Sequence, residues 1–205
     1  MRDVERPGVR RVALTGGIAT GKSDLRARFE ALGVPTIDSD LLAREAVAPG
    51  TVGLAAVVTR FGRDVLHADG TLDRKKLARI VFTDPEARLA LEAIVHPEVR
   101  RAVDEWFAAL DPDRYPYAIA DIPLLYEVGR DRDFDVVIVA ACDPDTQVRR
   151  VMKRDDVSEV SARQRLAAQL PIDQKVRRAD YVIRTDGTDE DTNRQVSAVC
   201  EKLRL

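Results

Sequence analysis

Residues 11–23 of this chain, RVALTGGIATGKS, decide its fold. The first five, Arg11 to Thr15, form a run that is typical of a β-strand. The next eight, GGIATGKS at 16–23, match G-x-x-x-x-G-K-[ST], the pattern of a phosphate-binding loop. Gly16 and Gly21 permit a backbone that a Cβ atom would obstruct, so the loop can turn its N–H groups toward an anion.

Side chains and flanking residues complete this motif. Lys22 offers a positive charge to the β- and γ-phosphates of a nucleotide, and Ser23 offers its hydroxyl to Mg²⁺. Apolar side chains then recur at positions 25, 29 and 32, which predicts an amphipathic helix that ends at Gly33. Its positive end faces the anion. Strand, loop and helix therefore follow in the order that the motif requires.

The composition limits the class of protein. The chain has 205 residues, 45% hydrophobic and 33% charged, as in an ordinary globular domain. Its net charge of −2 argues against a nucleic-acid partner, and no apolar run approaches the ~20 residues that cross a membrane. Residues 1–11 are charged and lack the apolar core of a signal sequence, which predicts a short frayed tail. Cys142 and Cys200 show no metal or redox spacing. We expect a cytoplasmic monomer or weak homo-oligomer with free thiols.

Strands and helices alternate along the chain. Strand patterns occur at 34–38, 115–121, 136–141 and 181–183, and helical patterns at 41–47, 143–153, 157–170 and 190–203. This order predicts an α/β fold with a central parallel sheet flanked by helices. Residues 51–110 contain no convincing strand and are too long for one crossover helix, so we interpret them as a helical insertion. Inside it, Asp73 and Asp84 are predicted N-caps, and His96-Pro97 is predicted to interrupt the last helix.

The carboxyl ends of parallel strands are where such sheets bind ligands. Thr15, Asp38, Asp121 and Cys142 lie at four such ends, so we expect their segments to meet at one site. Three of these segments carry groups suited to phosphate and metal chemistry. The candidate metal ligands are Ser23, Asp38 and Asp121.

The acidic segment Asp38-Ser39-Asp40 follows the second strand. In an extended segment both carboxylates point the same way, because side chains two residues apart share a face. One could then accept a proton from a substrate hydroxyl while the other holds a magnesium-bound water. The alternative is an Asx turn and a helix N-cap, which Asp and Ser also favour. The spacing leaves both interpretations open.

Residues 147–184 hold twice as many basic as acidic side chains. A basic lid over the phosphates neutralises charge in the transition state and excludes water. Arg150 and Arg154, four residues apart, share one helix face. A solvated helix with many ion pairs explains the composition equally well. The role of His96 also has two interpretations. A residue before proline is most often a helix boundary, but an imidazole can also donate a hydrogen bond to an anionic substrate.

Together these segments resemble the dephospho-coenzyme A kinase family. The matching segments, in chain order, are ALTGGIATGKS at 13–23, IDSD at 37–40 with AR at 43–44, DGTLDR at 69–74, HP at 96–97, PLLYE at 123–127, the residues Gln147, Arg150, Arg154 and Asp155 of Q-x-x-R-x-x-x-R-D, and A-x-Q at 167–169. The order is preserved from about residue 10 to residue 187. This is far more specific than the phosphate loop alone.

The resemblance implies an enzyme that uses ATP and Mg²⁺ to phosphorylate the ribose 3′-hydroxyl of dephospho-coenzyme A. It implies the P-loop kinase fold with three parts. These are a nucleotide-binding core of residues 10–50, 111–146 and 179–205, a helical acceptor domain of 51–110, and a helical lid of 147–178. No nucleic acid or membrane is implied as a partner.

The resemblance also implies roles for individual residues. Asp40 is the implied base, and Lys22 and Arg150 are the other catalytic residues. The residues expected to bind ATP are Gly16, Gly17, Ile18, Ala19, Thr20, Gly21, Lys22, Ser23, Asp24, Arg150 and Arg154. Those expected to bind the acceptor are Asp38, Asp40, His96, Pro123 and Leu124.

The chain departs from the family pattern near the nucleotide. Ala19 stands where the family usually has glycine, and Asp24 stands where Ser or Thr commonly follows G-K-S. Asp24 can act as a favourable charge in the first turn of a helix. Near the end, Arg184-Thr185-Asp186 replaces the usual D-N-S, which bears on how adenine is bound. No phosphate- or metal-binding group is lost.

Two other functions compete with this one. Another small-molecule or nucleoside monophosphate kinase would share the fold and differ in its acceptor domain. A non-catalytic ATP-binding regulator should lack the base, and the carboxylates at 38 and 40 beside an intact Lys22-Ser23 argue against it. The sequence contains no N-K-x-D motif of the kind that guanine-nucleotide switches carry.

Overall fold

The computed structural model of the protein describes residues 8–204. The described strands are β1 Arg10–Gly16, β2 Thr36–Asp38, β3 Tyr117–Asp121, β4 Val136–Ala141 and β5 Tyr181–Arg184. The described helices are α1 Lys22–Ala31, α2 Ser39–Glu45, α3 Val52–Phe61, α4 Arg74–Thr83, α5 Pro85–Ala108, α6 Pro144–Asp155, α7 Glu159–Ala167, α8 Ile172–Arg178 and α9 Asp189–Leu203. All paired strands are parallel, in the order β2-β3-β1-β4-β5. The predicted α/β fold with a parallel sheet is confirmed.

The chain divides into two compact units, and the sheet lies in the first. This unit contains the described residues up to Asp38 and from Phe107 onward. β3 and β4 are buried at every residue, as expected for central strands of a parallel sheet. Apolar residues of α1 and α9 complete the core against the strands, among them Leu25, Phe29, Val196, Val199 and Leu203.

Strand register brings the functional ends of the sheet together. Asp38, the last residue of β2, pairs with Asp121, the last residue of β3. Asp121 also pairs with Leu14 of β1, two residues before the loop begins at Gly16. The strand-end segments of this unit therefore meet at one edge of the sheet, as the sequence predicts.

The second unit, Ser39–Trp106, is helical. Its core consists of Val47, Leu54, Val57, Val65, Leu72 and Leu77. The predicted N-caps are confirmed. The Asp73 carboxylate accepts the Lys76 N–H at 2.9 Å, and the Asp84 carboxylate accepts the Glu86 N–H at 2.9 Å.

The predicted interruption at His96-Pro97 is wrong, because α5 continues through both residues for 24 residues. Proline removes one hydrogen bond to the carbonyl four residues earlier, here that of Ala93. Ala93 is exposed, so water can satisfy this carbonyl. One lost bond on the solvent side does not end a helix of this length.

The segment 147–178 is helical as predicted, and its last helix, α8, has only 7 residues. The extended interpretation of Asp38-Ser39-Asp40 is wrong, since β2 ends at Asp38 and α2 begins at Ser39. Asp40 therefore lies in the first turn of a helix, as the alternative interpretation predicts.

Residues 1–7 of the predicted frayed tail lie outside the described residues, whereas Arg10 and Arg11 form part of β1. No helix between residues 8 and 204 has the length and apolar character required to cross a membrane.

Candidate active site

The phosphate loop connects β1 to α1, and two of its positions, 16 and 21, require glycine. A Cβ on Gly16 would lie 2.5 Å from Thr20 Oγ1 and 2.7 Å from the Ala140 carbonyl oxygen. Gly21, the N-cap of α1, has a φ angle of +83°, which favours glycine. The Thr20 hydroxyl donates to the Gly17 carbonyl at 2.9 Å and braces the turn. The loop therefore presents the amino end of α1, where backbone N–H groups lack helical partners.

A group of four charged side chains lies at the sheet edge beside the loop. Lys22 Nζ donates to Asp121 Oδ1, and Asp121 is only 2% exposed. Arg26, one turn further along α1, lies 3.2 Å from Asp38 Oδ2 and 3.8 Å from Asp121 Oδ2. Burial raises the pKa of the Asp121 carboxyl group, while Lys22 opposes that shift. Two cations and two carboxylates therefore balance one another at the candidate phosphate site.

The predicted metal ligands supply oxygen donors, which Mg²⁺ prefers. Ser23 is exposed at the second residue of α1, and Asp38 and Asp121 are neighbours across two strands. Within residues 8–204 no cluster of three or more His, Cys, Asp or Glu side chains could hold a metal alone. The donor set fits a magnesium ion that keeps water and phosphate ligands, as this ion usually does.

Asp24 is balanced by a neighbour on its own helix. Its carboxylate accepts from Arg28 Nε at 2.7 Å, four residues along α1. The Arg28 guanidinium also donates to Asp189 at 2.6 Å. A negative charge in the first turn of α1 therefore carries its own counter-ion.

Two glutamines hold the peptide groups on either side of Ile18. Gln147 Nε2 donates to the Ile18 carbonyl at 2.7 Å, and the Ile18 N–H donates to Gln169 Oε1 at 2.8 Å. Gln147 is the fourth residue of α6, and Gln169 lies between α7 and α8. Both glutamines belong to motifs on which the family resemblance rests, Q-x-x-R-x-x-x-R-D and A-x-Q, but the resemblance implies no role for either side chain.

A buried lysine joins the same region. Lys175 of α8 is 0% exposed, and its Nζ donates to the Gly16 carbonyl at 3.1 Å. It forms an ion pair with Glu127 at 2.8 Å. Glu127 also accepts the Leu170 N–H at 3.0 Å. The connection between α7 and α8 is thereby tied to the start of the phosphate loop, a link that sequence reasoning missed because it counted Lys175 among the charges of the lid.

Arg150 contacts the loop and the segment after β5. Its guanidinium donates to the Ala19 carbonyl at 3.3 Å, to Thr185 Oγ1 at 3.1 Å and to the Thr185 carbonyl at 2.6 Å. The Thr185 hydroxyl in turn donates to the Thr20 carbonyl at 2.7 Å. Arg154, on the exposed side, pairs with Asp155 at 2.7 Å. The two arginines therefore occupy different environments.

The remaining predicted residues lie in two places. The Pro123 carbonyl accepts from the Thr15 hydroxyl at 3.2 Å, and Leu124 is 42% exposed. Asp40 and His96 belong to the second unit, on α2 and α5 respectively, and both are exposed. Cys142 at the end of β4 is buried and free, and so is Cys200.

Comparison with known proteins agrees with the geometry. The family model described as "CoaE: Dephospho-CoA kinase" matches residues 10–191. The chain is 50% identical over 182 residues to a dephospho-CoA kinase of Anaeromyxobacter dehalogenans, covering 89% of this chain and 86% of that one. It is 44% identical to a dephospho-CoA kinase of Geobacter sulfurreducens, covering 93% and 97% of the two chains.

Solved structures show the same likeness. TT1252 of Thermus thermophilus is 36% identical with a TM-score of 0.82, covering 96% of this chain and 99% of that one. A dephospho-CoA kinase from Campylobacter jejuni is 28% identical with a TM-score of 0.72, covering 94% and 96%. Shikimate kinase from Acinetobacter baumannii shares only the fold, at 16% identity and a TM-score of 0.52, covering 96% and 93%.

Proposed function

The chain belongs to the dephospho-CoA kinase family, and from that premise we propose that it transfers the γ-phosphoryl group of ATP to the ribose 3′-hydroxyl of dephospho-coenzyme A. The products are coenzyme A and ADP. The observation that carries this proposal is the match over residues 10–191, which includes the phosphate loop, the acidic segment, the helical insertion and the basic segment. A phosphate loop alone would support many activities.

Lys22 and the amino end of α1 bind the β- and γ-phosphates in this proposal. The Lys22 ammonium then exchanges its bond to Asp121 for phosphate oxygens, which makes the Asp121 carboxylate available to a new cation. Ser23, Asp38 and Asp121 would hold Mg²⁺, which would supply positive charge to neutralise the phosphates. The loop residues 16–21 and Asp24 surround the same phosphates.

Asp40 accepts the proton of the acceptor hydroxyl, and Arg150 stabilises charge near the transferred group. Asp40 is exposed in the first turn of α2, two residues after the end of the strand that carries Asp38, which supports this assignment. Arg154, His96, Pro123 and Leu124 complete the proposed contacts to ATP and the acceptor.

The proposed division of the chain follows from the same roles. Residues 10–50, 111–146 and 179–205 form the nucleotide-binding core, residues 51–110 the acceptor domain, and residues 147–178 the lid. The compact helical unit Ser39–Trp106 supports a separate acceptor domain. We place the protein in the cytoplasm, as a monomer or weak homo-oligomer.

An acceptor panel tests the function. ADP release from MgATP is measured with dephospho-coenzyme A, AMP and shikimate, and the products are identified by mass spectrometry. We expect turnover only with dephospho-coenzyme A, together with a gain of one phosphate at the 3′ position. Phosphorylation of AMP or shikimate instead would assign another kinase of this fold. ATP binding without ADP release in any reaction would favour a regulator.

A further inference from the structure

Ala19 has an unusual backbone conformation at the apex of the phosphate loop. Its φ angle is +58°, in the left-handed region that residues with a Cβ atom rarely adopt. Such a conformation costs free energy relative to glycine and persists only where the surrounding structure holds it in place. Contacts of the loop with its surroundings must therefore stabilise the left-handed conformation of Ala19.

Helix α6 supplies contacts to both carbonyl groups that flank the Ala19 backbone. Gln147 Nε2 donates to the Ile18 carbonyl at 2.7 Å, and Arg150, one turn later, donates to the Ala19 carbonyl at 3.3 Å. Gln147 is 4% exposed, so its amide has little competition from water. The Ile18 N–H is held by Gln169 at 2.8 Å.

Packing fixes these contacts further. A Cβ on Gly17 would lie 2.5 Å from Gln147 Nε2, so the amide rests directly on the loop backbone. The side chains of Ile18 and Ala19 pack against a buried cluster of Val148, Val151 and Ala162 from α6 and α7. The loop apex and α6 therefore form one packed body, with Gln147 as its buried polar contact.

We propose that Gln147 is a positioning residue that holds the Ile18 carbonyl so that Ala19 remains in its left-handed conformation and the loop stays shaped for phosphate. The proposal rests on the proposed function of the loop as the ATP phosphate site. In this role Gln147 touches no substrate, and it offsets the strain that alanine introduces where glycine would bear none. Its importance should therefore depend on which residue occupies position 19.

A double-mutant cycle tests this dependence. The Kd for ADP is measured by calorimetry for the wild-type protein, Gln147→Met, Ala19→Gly and the double variant. Loss of the buried hydrogen bond should raise the Kd about tenfold with alanine at position 19. With glycine there, the same change should raise it only about twofold. The difference of roughly fivefold corresponds to a left-handed strain of about 1 kcal/mol at 1.36 kcal/mol per tenfold.

The controls separate positioning from general stability. Gln164→Met replaces an exposed glutamine on α7 and should change neither Kd nor the thermal midpoint. Equal effects of Gln147→Met in both backgrounds, or no effect, overturn the positioning role. The coupling between positions 147 and 19 is also measured without ligand, from the thermal midpoints of the same four proteins in the absence of nucleotide. Failure of the wild-type protein to bind ADP would instead count against the proposed function. Gln147→Glu, which keeps the side-chain size, replaces Gln147→Met if that variant does not fold.

Discussion

Lys22 Nζ forms an ion pair with Asp121, which is 2% exposed at the end of β3. The lysine that defines the phosphate loop therefore also neutralises a buried carboxylate. Arg26 lies 3.8 Å from the other oxygen of Asp121 and provides a second, weaker contact. Removal of Lys22 consequently affects both phosphate binding and the charge balance of the fold.

Lys22→Ala should lower turnover by at least ~10³, because the role proposed for this lysine is to stabilise charge on the transferred phosphoryl group. It should also lower the free energy of unfolding by about 2–3 kcal/mol, because Asp121 stays buried without its principal partner. Chemical denaturation and steady-state kinetics measure the two effects. Lys22→Met combined with Asp121→Asn should regain most of the stability and none of the activity. Near-normal turnover in Lys22→Ala would refute the loop assignment.

Asp40→Asn should reduce kcat far more than it weakens ATP binding, because the role proposed for this carboxylate is to accept the acceptor's proton in the transition state. A loss of ~10²–10⁴ in kcat is expected for a loose phosphoryl-transfer transition state. Asp38→Asn is the comparison variant, since Asp38 lies 3.2 Å from Arg26 and is a proposed magnesium ligand rather than the proposed base. A crippled Asp38→Asn beside a mild Asp40→Asn would reverse the two roles.

Hydrogen exchange should divide the segment 147–178 into two parts when ATP and acceptor bind. Amides of α7 should gain protection, because its exposed arginines, Arg163 and Arg165, are held only by surface ion pairs that can be exchanged for phosphate contacts. Amides of α8 should change little, because Lys175 already ties this helix to Gly16 and Glu127. Mass spectrometry with a bisubstrate analogue measures both. Equal gains of amide protection in α7 and α8 would mean that α8 moves with α7, so that the contact of Lys175 with Gly16 breaks on closure. No gain of protection in either helix would contradict the lid and identify the two as ordinary surface helices.

The N-cap Asp73 should make the stability of α4 depend on pH. The Lys76 N–H holds the pKa of Asp73 below its usual value, so the folded protein binds this proton less readily than the unfolded chain. The stabilisation that the ionised cap gives is fully present above the pKa that Asp73 has in the unfolded chain. It is lost as the pH falls through the lower pKa that Asp73 has in the folded protein. Asp73→Ala should lower the thermal midpoint at pH 7 by roughly 3 °C, with a smaller difference near pH 3. Asp73→Asn, a cap that does not titrate, should show no such pH dependence.

Local sequence rules predicted the parts of the site that depend on short spacing. The loop, the helix behind it and the caps at Asp73 and Asp84 each follow from residues within eight positions of one another. The convergence of Asp38 and Asp121 followed from the rule for parallel sheets. These features need only local propensity and one topological principle.

The remaining contacts depend on partners far apart in sequence. Lys175 and Gly16 are 159 residues apart, and no spacing rule distinguishes a buried lysine from an exposed one in a basic segment. The part that Arg26 plays in the charge group could not be predicted either, because its contact with Asp38 arises only when β2 lies beside α1. The continuation of α5 through Pro97 depended on the exposure of Ala93, which a sequence alone does not reveal.

The separation between Gly16 and Lys175 has a consequence for the order in which the protein is made. A ribosome synthesises the phosphate loop well before the side chains that hold it, with Gln147 129 residues and Gln169 151 residues after Ile18. Until α8 has left the exit tunnel, the nascent chain carries the complete motif without the contacts that give it shape. Bound nucleotide can therefore stabilise the shaped loop only after α8 has been synthesised.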